Sequence, residues 1–286
     1  MLSIRRKVKR FVELVKFEHT IFALPFAYMG AILAEKELPT WQHFFWITLA
    51  MVCVRSAAMG LNRVIDRTID AANPRTANRH LPRGLISVTE VMSFVVAACL
   101  IFTYTVYVLS PAHLIYVPVI IFMLTFYSYT KRFTWLSHLM LGVAIGIAPV
   151  GGWVAVTRSL DPQALLLGCL VALWIAGFDI IYATRDLEFD RTYGLYSMPL
   201  NLGLAQALSW AKAFHAGSVI ILGLLFYWLE LGGWFVAGSL VTGILLYYEH
   251  SLISATDLRK VDFAFFNVNG IISMQMLFFT VLDILL

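Results

Sequence analysis

The sequence predicts an all-α fold, a polytopic membrane bundle of nine transmembrane helices with cytoplasmic cap loops. Hydrophobic residues make up 60% of the 286, only 13% are charged, and the mean hydropathy is +0.80. That composition lies outside the range of soluble globular domains. The apolar runs reach the roughly 20 residues that a helix needs to cross a bilayer, and the two-residue alternation of a membrane barrel is missing. A lipid bilayer is therefore the first expected partner.

Reading between polar breaks places the spans at about 17–35, 42–65, 86–109, 112–130, 134–157, 163–182, 205–229, 232–250 and 264–285. The first follows a basic stretch, MLSIRRKVKR, and lacks a cleavage signal, so it is expected to be retained. That basic cluster is read as orienting the chain and touching anionic lipid, with no nucleic acid implied. The second span carries Arg55, a cation in an apolar run, which argues for a function or a partner. Gly142-xxx-Gly146 in the fifth span is read as a helix-packing motif. Cys53, Cys99 and Cys169 show no CxxC spacing and are expected to pack as small hydrophobes.

Orientation follows from the cations. With the N-terminus inside, 18 of the 21 lysines and arginines fall on the cytoplasmic side, which is expected to be that of the plasma (inner) membrane. The longer connections, 66–85, 183–204 and 251–262, lie on that side and are expected to form a lid; long loops in a compact bundle are usually functional.

Two acidic motifs stand at these cytoplasmic helix ends: Asn62-xxx-Asp66-xxx-Asp70 and Asp179-xx-Tyr182-xxx-Asp186-xxx-Asp190. Four-residue spacing on a helix stacks the side chains on one face, so each motif is a ladder of oxygens. Four crossings separate the two, which returns the chain to the same membrane face. The motifs also resemble each other, Asn62/Asp66/Asp70 against Tyr182/Asp186/Asp190, as a weak parallel repeat. Oxygen ladders without His or Cys suit Mg²⁺, which typically bridges a few carboxylates to substrate phosphates. Arg67, Arg75, Arg79, Arg83, Lys131, Arg132, Arg185 and Arg191 alternate with the carboxylates, so a diphosphate is the expected anion. At the mouth of an apolar bundle, a polyprenyl diphosphate fits. A cation-coupled transporter is the alternative class, but it would keep its ionisable residues near the midplane on broken helices.

The chain resembles the UbiA superfamily of intramembrane aromatic prenyltransferases. NRVIDRTID (62–70) is similar to the family's NxxxDxxxD, DIIYATRDLEFD (179–190) to its DxxYxxxDxxxD, and YSYTK (127–131) to its YxxxK, in the family's order. TANRHLPRG (76–84) is similar to a loop of the 4-hydroxybenzoate polyprenyltransferase branch and of related enzymes that prenylate a naphthoate. The resemblance covers the whole chain as one domain. It implies Mg²⁺ bound through Asp66, Asp70, Asp186 and Asp190, with Asn62 and Asp179 completing the ladders. Lys131, Arg67 and Tyr182 would meet the diphosphate, with Arg79 and Tyr127 also binding substrate. Arg55, seven residues before Asn62, would hold an aromatic acid acceptor by its carboxylate. The implied reaction is electrophilic aromatic substitution, with Asp70 as candidate proton acceptor. Arg132 is assigned to the membrane interface, His19, His80, His138, His215 and His250 to interfacial or structural places, and Glu18 and His19 to the mouth.

Overall fold

The computed structural model describes residues 10, 11, 13, 14 and 20–286; Glu18, His19 and the basic residues before Arg10 lie outside them. The described residues form twelve α-helices: α1 (Thr20–Glu35), α2 (Trp41–Ile65), α3 (Arg67–Ala72), α4 (Val88–Leu109), α5 (Val117–Thr130), α6 (Ser137–Thr157), α7 (Pro162–Ala183), α8 (Leu187–Tyr193), α9 (Met198–Leu202), α10 (Leu204–Trp228), α11 (Gly233–Ser251) and α12 (Asn269–Leu285). Among them no strand forms beyond an isolated bridge between Ser254 and Asp257.

Among the described residues, seven helical stretches are long and apolar enough to cross a membrane: Trp41–Ile65, Val88–Leu109, Pro111–Thr130, Ser137–Thr157, Pro162–Tyr193, Leu204–Trp228 and Phe263–Leu285. Two of the nine expected spans fall outside this set. The first falls on the shorter apolar helix Ala23–Glu35. The eighth falls on α11, whose Gly, Ser, Thr, Tyr, Glu249 and His250 dilute its apolar character.

Local chemistry sets several boundaries. Thr40 caps α2 by accepting from the His43 N–H at 3.2 Å. A reciprocal pair starts α4: the Glu90 N–H donates to Ser87 Oγ at 3.1 Å and the Ser87 N–H to Glu90 Oε2 at 3.0 Å. Helix α7 is central and apolar on every face until Asp179 near its end, with Leu167, Val171, Trp174, Ile175 and Ile181 buried. It packs between α6 and α10, α6 packs on α1, α2 on α4, and α12 against α1 and α11.

Helices α1, α6 and α7 meet along a seam of glycines. A Cβ on Gly152 would strike the Ala27 carbonyl, one on Gly142 the Ala172 carbonyl, and one on Gly146 would stand 2.5 Å from the Gly168 carbonyl. Small residues let backbones approach where no aqueous hydrophobic effect drives helices together. The packing reading of Gly142-xxx-Gly146 holds.

Before α12 the chain makes a π turn over Phe263–Val268. Asn269 secures it from a fully buried position. Its Nδ2 donates to the carbonyls of Ala264 (3.1 Å) and Phe265 (3.3 Å) and to Glu249 Oε1 (2.8 Å), while its Oδ1 accepts from Trp174 Nε1 at 2.8 Å.

Candidate active site

Both acidic motifs arise where a long helix is interrupted and restarts. Helix α2 ends at Asp66 (φ −92°, ψ 7°) and α3 follows at once; Asp186 ends the turn after α7 (φ −99°, ψ 6°) and α8 follows. The matching backbone at the two aspartates gives the weak repeat a structural counterpart. The first break keeps its ladder in phase: the Asp66 N–H donates to the Asn62 carbonyl at 2.9 Å and the Asp70 N–H to the Asp66 carbonyl at 2.7 Å.

Tertiary packing then brings the two ladders around one cavity of about 310 Å³. Asn62, Asp66, Asp70, Asp179, Asp186 and Asp190 all line it, as do Arg55, Arg79, Tyr127, Lys131 and Tyr182. Cations engage the carboxylates closely. Buried Asp66 accepts from Lys131 Nζ at 2.6 Å, Asn62 Nδ2 at 2.9 Å and Arg132 Nη2 at 3.0 Å. Asp70 Oδ1 pairs with Arg79 Nη1 at 2.6 Å, and Arg63 Nη1 stands 3.8 Å from its Oδ2. Arg75 grips Asp186 with Nε to Oδ1 at 2.9 Å and Nη2 to Oδ2 at 2.6 Å, and Asn73 Nδ2 donates to the same Oδ1 at 3.0 Å. Burial works against the charge on Arg75, but the Asp186 carboxylate outweighs it and holds the guanidinium above its ordinary pKa.

The segment carrying the second ladder is pinned to α5 and α6. The Tyr196 N–H donates to the Lys131 carbonyl at 2.8 Å. His138 bridges Asp179 Oδ2 (2.7 Å, through Nδ1) and the Met198 N–H (3.2 Å, accepted by Nε2). Arg185 pairs with Asp262 of the third loop, and the Tyr182 ring stacks on Phe265 of the π turn at 4.2 Å between centroids.

Three expectations change. Arg67 is exposed and does not line the cavity, because one residue after Asp66 points about 100° round the helix; buried Arg63 takes the place beside Asp70. Arg132 is not an interface anchor but a partner of Asp66. His138 belongs to the site as the partner of Asp179. Asp70, the expected proton acceptor, is engaged by Arg79. Accordingly, Arg67→Ala is expected to leave prenyl transfer within about twofold of the parent, as surface changes usually do, when initial rates are compared in membranes of equal protein content.

The donor set fits Mg²⁺. Among the described residues no three His, Cys, Asp or Glu side chains already form a cage. Mg²⁺ needs none, since it binds through one or two carboxylates, substrate phosphates and water. Asp70 Oδ2, buried without a hydrogen-bond partner, is an oxygen suited to it.

The profile of the UbiA prenyltransferase family matches residues 23–271. The chain belongs to this family. It is 28% identical over 276 residues to the 4-hydroxybenzoate octaprenyltransferase of Aliivibrio fischeri, covering 92% of this chain and 93% of that one. It is 30% identical over 257 residues to the 4-hydroxybenzoate octaprenyltransferase of Coxiella burnetii, covering 88% and 89%. Among solved structures, a UbiA homolog from Aeropyrum pernix K1 superposes with a TM-score of 0.84 at 32% identity over 94% of this chain and 98% of that chain. A UbiA homolog from Archaeoglobus fulgidus bound to GPP and Mg²⁺ shares the fold, with a TM-score of 0.78 at 20% identity over 97% and 100%. The protein is thus a multi-pass membrane enzyme of the UbiA family that catalyses prenyl transfer, and the transporter alternative is set aside.

Proposed function

We propose that the protein transfers a polyprenyl group from a polyprenyl diphosphate to 4-hydroxybenzoate in quinone biosynthesis. On this reading the whole chain, 1–286, acts as one domain in the plasma (inner) membrane with the site facing the cytoplasm, in line with the placement of its lysines and arginines. The observation that carries the reading is Arg55. Its Nε is buried without a hydrogen-bond partner where the polar cavity meets a second, apolar cavity of about 350 Å³. An unpartnered guanidinium N–H away from water is costly until an anion completes it, and the carboxylate of an aromatic acid does so. The apolar cavity, lined by Met51, Phe102, Ile120 and Leu124 among others, suits a hydrocarbon tail. The names borne by the Aliivibrio and Coxiella relatives agree with this acceptor.

Asp66, Asp70, Asp186 and Asp190, with Asn62 and Asp179 beside them, would hold Mg²⁺, which when bound supplies Lewis-acid neutralisation of the leaving diphosphate. Lys131, Arg79 and Arg63 add charge that is already oriented by the carboxylates they touch. The stacked rings of Tyr182 and Phe265, with Phe178 at 5.1 Å from Phe265, wall the cavity with π faces that shield an allylic cation from water. The acceptor ring, held through its carboxylate by Arg55, presents the carbon ortho to its phenolic oxygen, which bonds to the prenyl carbon as the carbon–oxygen bond to diphosphate breaks; the ring then regains aromaticity by passing its proton to the released diphosphate.

The test uses membranes containing the protein, a radiolabelled polyprenyl diphosphate, Mg²⁺ and either 4-hydroxybenzoate or a dihydroxynaphthoate. A lipophilic aromatic product with 4-hydroxybenzoate is expected. Arg55→Gln is expected to raise the acceptor KM by about 10- to 100-fold, as loss of a charge-assisted hydrogen bond does, with the KM for the diphosphate little changed. Product only with the naphthoate would replace the acceptor; none from either, or an unchanged acceptor KM in the variant, would sink the proposal.

A further inference from the structure

Arg75 lies in the loop that follows the first motif, and its side chain holds two residues of the second. Its Nε and Nη2 occupy both oxygens of Asp186, and its Nη1 donates to the Tyr182 hydroxyl at 3.1 Å. Its guanidinium lies 5.4 Å from the centre of the Tyr182 ring. Its own N–H is fixed by Asn73 Oδ1 at 2.9 Å, while Asn73 Nδ2 reaches Asp186 Oδ1 at 3.0 Å. Three N–H donors already fill most of the roughly four lone-pair sites of Asp186, two on Oδ1 and one on Oδ2, and the guanidinium charge repels a second cation brought to the same carboxylate. Asp186 is freer to serve a metal when Arg75 lets go.

A released Arg75 does not leave the site. It lines the same cavity, and the loop anchored through Asn73 keeps it there. The partner that offsets its loss of Asp186 is a second anion in the cavity. We propose that Arg75 is an exchange residue: Asp186 passes from Arg75 to the divalent cation while Arg75 passes from Asp186 to the diphosphate. Cation and diphosphate are thereby coupled, each favouring the other through Arg75, and such coupling is reciprocal. The inference deepens the proposed function and rests on its metal-binding reading.

The coupling predicts opposite effects of one substitution. Mn²⁺ binding to purified protein in nanodiscs is followed by the loss of the free-ion paramagnetic signal, first with Mn²⁺ alone and then with a preformed Mn²⁺–diphosphate complex. Arg75→Gln is expected to bind Mn²⁺ alone about tenfold more tightly than the parent and the complex about tenfold more weakly, within the usual span of coupling between sites. Arg75→Lys, which keeps the charge but loses the bidentate grip, is expected to shift both affinities the same way by less. A variant that merely folds poorly would weaken both. Unchanged or weaker binding of Mn²⁺ alone by Arg75→Gln and Arg75→Lys would overturn the exchange while leaving the metal reading intact. Failure of the parent to bind Mn²⁺ in either form would overturn both.

Discussion

Asp66→Ala is expected to lower prenyl transfer by about three orders of magnitude, the upper range for losing one preorganised electrostatic contact at a reacting charge. Asp66 is 2% exposed, and its carboxylate ties Asn62 of α2 to Lys131 and Arg132 of the segment after α5. Its removal takes one rung from the first ladder. It also leaves Lys131 and Arg132, each about 30% exposed, without the anion that aims them. Asp66→Asn keeps the shape and separates charge from packing. Single-turnover rates in nanodiscs at saturating Mg²⁺ check this, and a rate within tenfold of the parent for Asp66→Ala would remove Asp66 from the chemistry.

Gly152→Val is expected to prevent assembly of the bundle. The Cβ alone would overlap the Ala27 carbonyl, and a Cβ added at Gly30 of the same helix pair would likewise strike the backbone of Pro149. Backbone cannot step aside as a side chain can, so the helices must separate, at a cost of about 3 kcal/mol or more. Wild-type yield and a monodisperse size-exclusion profile for Gly152→Val would refute the close seam. Gly151→Val, next along the chain and with nothing within 4 Å of its Cβ, is the matched control.

The sequence carries the ladders because their geometry is local. Asn62, Asp66 and Asp70 are spaced by the helix itself, and the same holds from Tyr182 through Asp190. Arg55 is conspicuous because a cation in an apolar run is costly. Arg63 lies beside Asn62 but outside the four-residue spacing, so nothing local singles it out; only the packing shows Arg63 buried and Arg67 turned outward. Arg75 meets Asp186 across 111 positions and His138 meets Asp179 across 41, so no spacing rule reaches them. Arg132 follows Lys131 and carries the usual signature of a lipid-facing anchor, while its partner is fixed by how α5 docks on α2. The seven clear spans follow from hydropathy, and α11 departs from it because Glu249 and Asn269 hydrogen-bond inside the bundle, where a polar pair is satisfied without water.

The π turn at Phe263–Val268 holds one residue more than the α-helical turn it replaces, so the residues on either side keep their facing while the extra one bulges. Ile272 and Met276 remain in the core, and the bulge sets Phe265 against Tyr182, with Asn269 taking the carbonyls that the widened turn leaves. The aromatic wall of the cavity is therefore encoded by the number of residues between Asp262 and Asn269 as much as by their identity. Two chains with the same aromatic residues but differing there by one in length would share this fold and not this wall.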